Sequence, residues 1–255
     1  MSFDPDALGE RLYRAYVDAD PVDPASLPAE LTVAEGYAAQ EAFLERRVRA
    51  EGEPVGYKVG FTSDVVRSDL GVDAPAFGRV LADTVREDRR FSAEALIEPR
   101  VEPEVAVVLG DDLSPPASRL DVVDAVDLVV PVVEVVDSRI RGWEVTASTA
   151  VADNTLAARL LPGDRTTAGD VDLVREGVEV LVDGERRATG VGAAALGHPA
   201  DAVAWLAEAL PEHGDALRAG DVVTTGSITE PVPLAAGETA VARFSSLGTV
   251  VAHAE

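Results

Sequence analysis

Residues 101–110 read Val101-Glu102-Pro103-Glu104-Val105-Ala106-Val107-Val108-Leu109-Gly110, and residues 128–137 read Leu128-Val129-Val130-Pro131-Val132-Val133-Glu134-Val135-Val136-Asp137. Both stretches are dense in Val and bounded by Gly, Pro or Asp, the composition of strands. Side chains two apart share one face of a strand, so Glu102 and Glu104 project together, followed by Ala106 and Val108. Pro103 has no N–H to donate and places this point at a strand start, an edge or a bulge. Glu134 is the one acid inside an otherwise apolar run and shares a face with Val132 and Val136. An unpaired carboxylate there would cost several kcal/mol or shift its pKa until neutral. Three carboxylates without His or Cys suit a hard cation, Mg²⁺ or Mn²⁺, with water or substrate in the remaining positions. On spacing alone, the Glu102/Glu104 pair reads equally well as a solvated strand face.

Outward from these strands, the rest of the chain divides by texture. Residues 5–19 and 32–51 read as helices, the second with Tyr37, Ala38, Phe43 and Leu44 among Glu and Arg. A connector containing Pro21, Pro24 and Pro28 separates them. After Gly52 come short β-rich runs, with Asp183-Gly184 as a hairpin signal. One strong helix interrupts this half, over 199–210, with Pro199 at its first position. The expected organisation is α+β: a helical N-terminal region over 1–55 and a β-rich catalytic domain over 56–255, read as one continuous unit. Regular βαβ alternation is missing, which argues against a Rossmann fold or a TIM barrel.

Composition narrows the function. The chain has 255 residues, 46 Asp+Glu against 22 Lys+Arg, and a net charge of −24. A field of that sign repels nucleic acid and anionic membranes, so neither is an expected partner. The acidity is spread along the chain, as on proteins of halophilic organisms. The absence of Cys excludes a disulfide framework, a thiolate metal site and a cysteine nucleophile. The acidic start of the chain and the lack of a long apolar run lead to the expectation of a soluble, cytoplasmic protein. Among the 22 basic residues, Lys58 is the only lysine. A background that has replaced Lys everywhere else leaves two readings of Lys58: survival on a surface loop, or a task needing a compact point charge or a movable pKa. Ser63, Ser138 and Ser227 lack a G-x-S-x-G context, and His198, just before the helix at 199, reads as a loop or cap residue and not as a base.

Six blocks, in this order, carry a resemblance: Gly56-Tyr57-Lys58-Val59-Gly60-Phe61-Thr62-Ser63; Arg100-Val101-Glu102-Pro103-Glu104; Pro131 to Ile140; Val151-Ala152-Asp153-Asn154; Leu196-Gly197-His198-Pro199 with Ala204-Trp205-Leu206; and Gly220 to Ser227. Together they resemble the 2-keto-4-pentenoate hydratase and 4-oxalocrotonate decarboxylase branch of the fumarylacetoacetate hydrolase superfamily. The resemblance implies a mixed β-roll or β-sandwich fold, a divalent metal (Mg²⁺ or Mn²⁺) on Glu102, Glu104 and Glu134, and a catalytic lysine at Lys58. It also places Asn154 and Thr225 in blocks that line the site, as weaker substrate-binding candidates. The activity it implies is hydration of 2-hydroxypenta-2,4-dienoate in aromatic catabolism, with 4-oxalocrotonate decarboxylation or another oxo-acid lyase or hydrolase reaction as the alternative. A non-catalytic partner subunit is a third reading. A small 2-oxo or 2-hydroxy-dienoate substrate and a homo-oligomer, in complex with a pathway enzyme or alone, are the implied partners. Two departures stand out: Pro75-Ala76-Phe77-Gly78 where the family has Asp in the second place, and Asp153-Asn154-Thr155-Leu156 where the family block ends in Ser.

Overall fold

The computed structural model describes residues 3–167 and 171–255. Six α-helices occur among them: α1 (Pro5–Asp18), α2 (Val33–Glu51), α3 (Asp64–Leu70), α4 (Arg119–Ala125), α5 (Ala147–Ala152) and α6 (Pro199–Ala209). Asp4 caps α1 by accepting from the Ala7 N–H, and Pro5 follows it. Thr32 and Glu35 form a reciprocal capping box at the start of α2. His198 caps α6 through Nδ1, which accepts from the Ala200 N–H at 3.0 Å, so its imidazole serves a helix end as expected. The sequence reading finds only α6 in the β-rich half. The shorter α3, α4 and α5 escape it because six or seven residues show too little periodicity. Their signals are local instead, Ser118 with Asp121 and Thr146 with Thr149 each closing a capping box.

The strands are β1 (Pro54–Gly60), β2 (Ala76–Leu81), β3 (Arg90–Phe91), β4 (Arg100–Leu109), β5 (Val126–Val136), β6 (Ala157–Pro162), β7 (Thr166–Thr167), β8 (Gly177–Val182), β9 (Glu185–Val191), β10 (Val222–Thr224), β11 (Val232–Pro233), β12 (Thr239–Phe244) and β13 (Thr249–Ala254). One sheet runs β2-β1-β10-β4-β5-β6, with β11 paired to β4 and β7 to β5; the other runs β3-β13-β12-β8-β9. Pairing is antiparallel except for β1 with β10 and β3 with β13. The β8–β9 hairpin turns on Asp183 and Gly184, both at positive φ (49° and 87°), the geometry of a tight primed turn.

Period-2 alternation on the two longest strands separates two apolar layers. Val101, Val105, Val129, Val133 and Val135 pack with the second sheet through Val178, Val180, Val250 and Ala252. Ala106, Val130 and Val132 face the other way, with Val80 and Leu160, into the hollow of the first, curled sheet. A third layer, Tyr57, Phe77 and Val107 with Val203 and Leu206, seats α6 on the outside. The N-terminal helices close over the remaining side, where Leu12 and Phe43 pack with Ile140 and Ala152. The hollow is therefore lined by even-numbered residues of β4 and β5, the positions that carry the glutamates.

Candidate metal centre

β4 and β5 pair with Glu102 directly opposite Glu134, and Glu104 opposite Val132. Directly opposed residues share a face, so all three carboxylates enter the hollow. One carboxylate oxygen from each lies within 4.8 Å of the others. Glu104 and Glu134 are buried and Glu102 is partly so. Lys58 comes from the other side. On β1 it lies beside Thr224 of β10, which pairs with Ala106 of β4, so its chain enters the same hollow. Its Nζ stands 3.2 Å from Glu134 Oε2 and donates to the Thr155 carbonyl at 3.1 Å. The structure thus brings together Lys58, Glu102, Glu104 and Glu134 from three different strands.

The electrostatics show a group short of positive charge. Three carboxylates against one ammonium leave two uncompensated negative charges when all are ionised, the charge of one divalent cation. Burial pushes Glu102 up to about 7, against the pull of Lys58 and Arg100. Burial first, then the charge of Glu134, holds Glu104 well above the usual carboxylate range. Burial also raises Glu134 in spite of Lys58. For Lys58, burial pulls downward, but Glu134, Glu102 and Glu104 outweigh it and the net shift is upward. The ammonium is therefore held charged by these carboxylates. Hydrogen bonding points the same way. Glu104 Oε2 accepts from the Gly226 N–H at 2.9 Å, while Glu104 Oε1 and Glu134 Oε2 are buried with no hydrogen-bond partner among the described residues. The 3.2 Å Lys58 contact to Glu134 is an ion pair without hydrogen-bond alignment. Buried, unpartnered, all-oxygen donors fit a hard divalent cation.

The walls are shaped by unusual backbone. Asn154, Thr155 and Leu156 run consecutively through positive φ (52°, 50° and 66°), a conformation disfavoured for any of them and most for β-branched Thr155. This turn aims the Thr155 carbonyl at Lys58. It is over-determined from outside: Thr155 Oγ1 donates to the Phe77 carbonyl at 2.7 Å, and the Asn154 amide accepts from the Arg79 N–H at 2.8 Å and donates to the Arg79 carbonyl at 2.9 Å. Gly60 allows the turn to approach, since a Cβ there would meet Thr155 Cγ2 at 2.5 Å. Below it, Asp153 and Arg139 form a fully buried ion pair, with burial pushing the Asp153 acid up to about 6 against the pull of Arg139.

Of the two weaker candidates, Asn154 belongs to the turn that meets Lys58 and Thr225 follows inward-facing Thr224, and the polar atoms of both are engaged elsewhere. Both amide atoms of Asn154 clasp β2, as above. Thr225 donates its N–H and hydroxyl to the Val105 carbonyl, at 3.0 and 2.8 Å, extending the β10–β4 ladder. Its neighbour Thr224 is the residue that sequence reasoning missed. Thr224 shares the inner face with Lys58 and Ala106, is fully buried, and its Oγ1 has no partner among the described residues. Alternation on a three-residue strand has no visible phase in the sequence, so only its pairing register distinguishes the two threonines.

Comparison with known proteins agrees with this architecture. Residues 39–254 match the sequence profile of the fumarylacetoacetate (FAA) hydrolase C-terminal family. The chain belongs to that family. Within it, the chain is 37% identical over 252 residues to a 4-oxalocrotonate decarboxylase of Pseudomonas putida, covering 97% of this chain and 95% of the relative. It is also 37% identical to 2-keto-4-pentenoate hydratase 2 of Dechloromonas aromatica, covering 97% and 96%. Among solved structures, 4-oxalocrotonate decarboxylase from Pseudomonas putida G7 in complex with magnesium and adipate is similar at a TM-score of 0.93 and 34% identity. That match covers 98% of this chain and 97% of the other. No helix among the described residues is long and apolar enough to cross a membrane.

Proposed function

We propose that this chain is a divalent-metal-dependent hydratase that adds water to 2-hydroxypenta-2,4-dienoate to give 4-hydroxy-2-oxopentanoate. The observation that carries the reading is the buried cluster of Glu102, Glu104 and Glu134, with Glu104 Oε1 unpartnered among the described residues and Glu134 Oε2 ion-paired to the only lysine of the chain. A divalent cation held by these carboxylates supplies Lewis acidity toward the C1 carboxylate and C2 oxygen of a 2-oxo acid. Lys58 keeps positive charge beside that end and, with one N–H on Thr155, has others to turn toward the C2 oxygen. Lys58 thereby serves as an electrostatic partner and proton donor at that end. Thr224 offers a hydroxyl to substrate or to a water in the same hollow. Asn154 and Thr225 act at one remove, by fixing the walls. Burial of the cluster excludes bulk water and strengthens each of these contacts.

Decarboxylation of 4-oxalocrotonate is the second reading, favoured by the 37% identity to a decarboxylase over nearly the whole chain. Both reactions need a charged donor at the 2-oxo end and diverge at the far end of the substrate. The same proposal includes residues 1–55 as a helical region on a 56–255 catalytic unit, a homo-oligomer, and a cytoplasmic, salt-adapted protein. These parts rest on the charge balance and the family resemblance. The test is loss of the dienoate chromophore in molar KCl, with and without Mg²⁺, using Lys58→Ala and Glu134→Gln as controls. Metal-dependent loss that disappears in both variants is expected. A dienoate that persists with the folded, Mg²⁺-supplied protein overturns the hydratase reading, and turnover of 4-oxalocrotonate instead would establish the second.

A further inference from the structure

Tyr37 and Gln40 stand one turn apart on one face of α2, and that face meets β2, the edge strand of the first sheet. An edge strand turns a row of backbone N–H and C=O groups away from its neighbour, and those groups need partners. On β2 the partners are side chains. The Phe77 N–H donates to Tyr37 Oη at 3.1 Å, and the Phe77 carbonyl accepts from Gln40 Nε2 at 3.1 Å and from Thr155 Oγ1 at 2.7 Å. Two residues on, the Asn154 amide takes both backbone groups of Arg79. Gln40 Nε2 gives its second proton to the Val151 carbonyl at 2.8 Å, in the last turn of α5 and four residues before Thr155. Here α2 lies directly on α5, since a Cβ on Gly36, one turn before Gln40, would meet the Ser148 carbonyl at 2.5 Å.

These contacts run without a break from a helix of the N-terminal region to the ammonium of Lys58. Gln40 and Thr155 share the Phe77 carbonyl, and the Thr155 carbonyl holds Lys58 Nζ at 3.1 Å. Gln40 also holds Val151, so one amide ties both the strand that the turn leans on and the helix from which it departs. Left-handed backbone at Asn154, Thr155 and Leu156 persists only where the surroundings over-determine it. Stability gives Gln40 no comparable role. It is fully buried, and its Oε1 has no hydrogen-bond partner among the described residues. An orphaned buried oxygen costs stability that an unbranched apolar side chain of the same length would not. What the amide supplies, and such a side chain cannot, is a pair of donors at two fixed points.

We propose that Gln40 is a positioning residue for catalysis: by clamping Phe77 of β2 and Val151 of α5, its amide fixes the turn at 154–156 and with it the direction of the Lys58 ammonium. The N-terminal helices then belong to the centre instead of merely covering it. This rests on the reading of Lys58 as the charged partner at the 2-oxo end of the substrate. It holds for hydration and decarboxylation alike.

Because Lys58 is the only lysine, protein labelled with lysine carrying ¹³C at Cε gives one NMR signal, which reports on this side chain without any turnover. Gln40→Met removes both donors and the orphaned oxygen together. It is expected to melt close to the parent and to shift the Lys58 signal of the Mg²⁺-supplied protein. Its kcat on the dienoate or on 4-oxalocrotonate should fall about threefold to tenfold with KM little changed. Leu12→Ala is the control, since it loosens the packing of α1 on α2 without touching Phe77, Val151 or the turn. It should melt lower and leave the signal and kcat as they are. Gln40→Glu keeps the length and, protonated in its buried place, one donor; it should fall between, and it decides by the same signal should Gln40→Met fail to fold. An unmoved Lys58 signal in the folded variant overturns the proposal, and so does a Leu12→Ala protein that shifts signal and kcat as far. A parent protein that turns over neither substrate overturns the functional reading instead, while the Lys58 signal still decides whether Gln40 sets its position.

Discussion

Stripping divalent metal and raising the pH from 5 to 8 is expected to destabilise this chain, and restoring Mg²⁺ to reverse the trend. Burial holds the Glu102 acid at about 7, against an ordinary 4.5. A carboxyl raised in this way binds its proton more tightly in the fold than in the unfolded chain. Its contribution to stability is complete below 4.5 and is lost as the pH climbs through about 7. The difference corresponds to about 3 kcal/mol in full, most of which falls between pH 5 and 8. For a chain of this length that corresponds to about 5–10 °C in melting temperature. Glu104 and Glu134 shift in the same direction and add to the trend. The assay is thermal unfolding in 2 M KCl with EDTA. Salt at that strength reduces the screening length to about 3 Å or less and removes repulsion among exposed acids, but not within the buried cluster. Metal binding requires deprotonated ligands, so with Mg²⁺ the melting temperature should rise over the same range. A metal-free melting temperature that is flat or rising, or an unchanged slope in Glu102→Gln, would refute the argument.

Three further outcomes follow from the walls of the site. Thr224→Val removes a buried hydroxyl without a partner, so the melting curve should show a gain of about 1 kcal/mol, while turnover of the dienoate falls. Thr155→Gly relieves a left-handed penalty of about 1–2 kcal/mol and forfeits a hydroxyl bond of about 1 kcal/mol. Its melting temperature should therefore move little, while kcat drops about tenfold as the carbonyl that holds Lys58 loosens. Arg139→Met leaves Asp153 buried and unpaired and should cost about 3–5 kcal/mol in chemical denaturation, whereas adding Asp153→Leu should recover much of the loss.

Much of the centre is legible in the sequence because strands write their geometry with a period of two. Glu102 and Glu104 announce a shared face, and Glu134 stands out against seven neighbouring Val. Lys58 is conspicuous by the absence of other lysines. What brings Lys58 to Glu134 is the parallel insertion of β10 between β1 and β4, a long-range pairing with no local signature. The same pairing decides that Thr224, and not Thr225, faces inward. The left-handed run at 154–156 is equally invisible, because Asn, Thr and Leu give no hint of a turn that glycine would advertise.

The in-register opposition of Glu102 and Glu134 has a consequence for how the chain folds. Sliding β4 past β5 by a single residue would rotate one strand's alternation, driving glutamates into the dry layer now filled by Val101, Val105, Val133 and Val135. Each carboxylate so trapped would carry a penalty of several kcal/mol, with no cation within reach. The hairpin that builds the centre therefore polices its own alignment: an offset copy is punished by the same side chains that the aligned copy gathers for binding. Metal affinity then doubles as a proofreading signal, reporting that the two longest strands have met in the right frame.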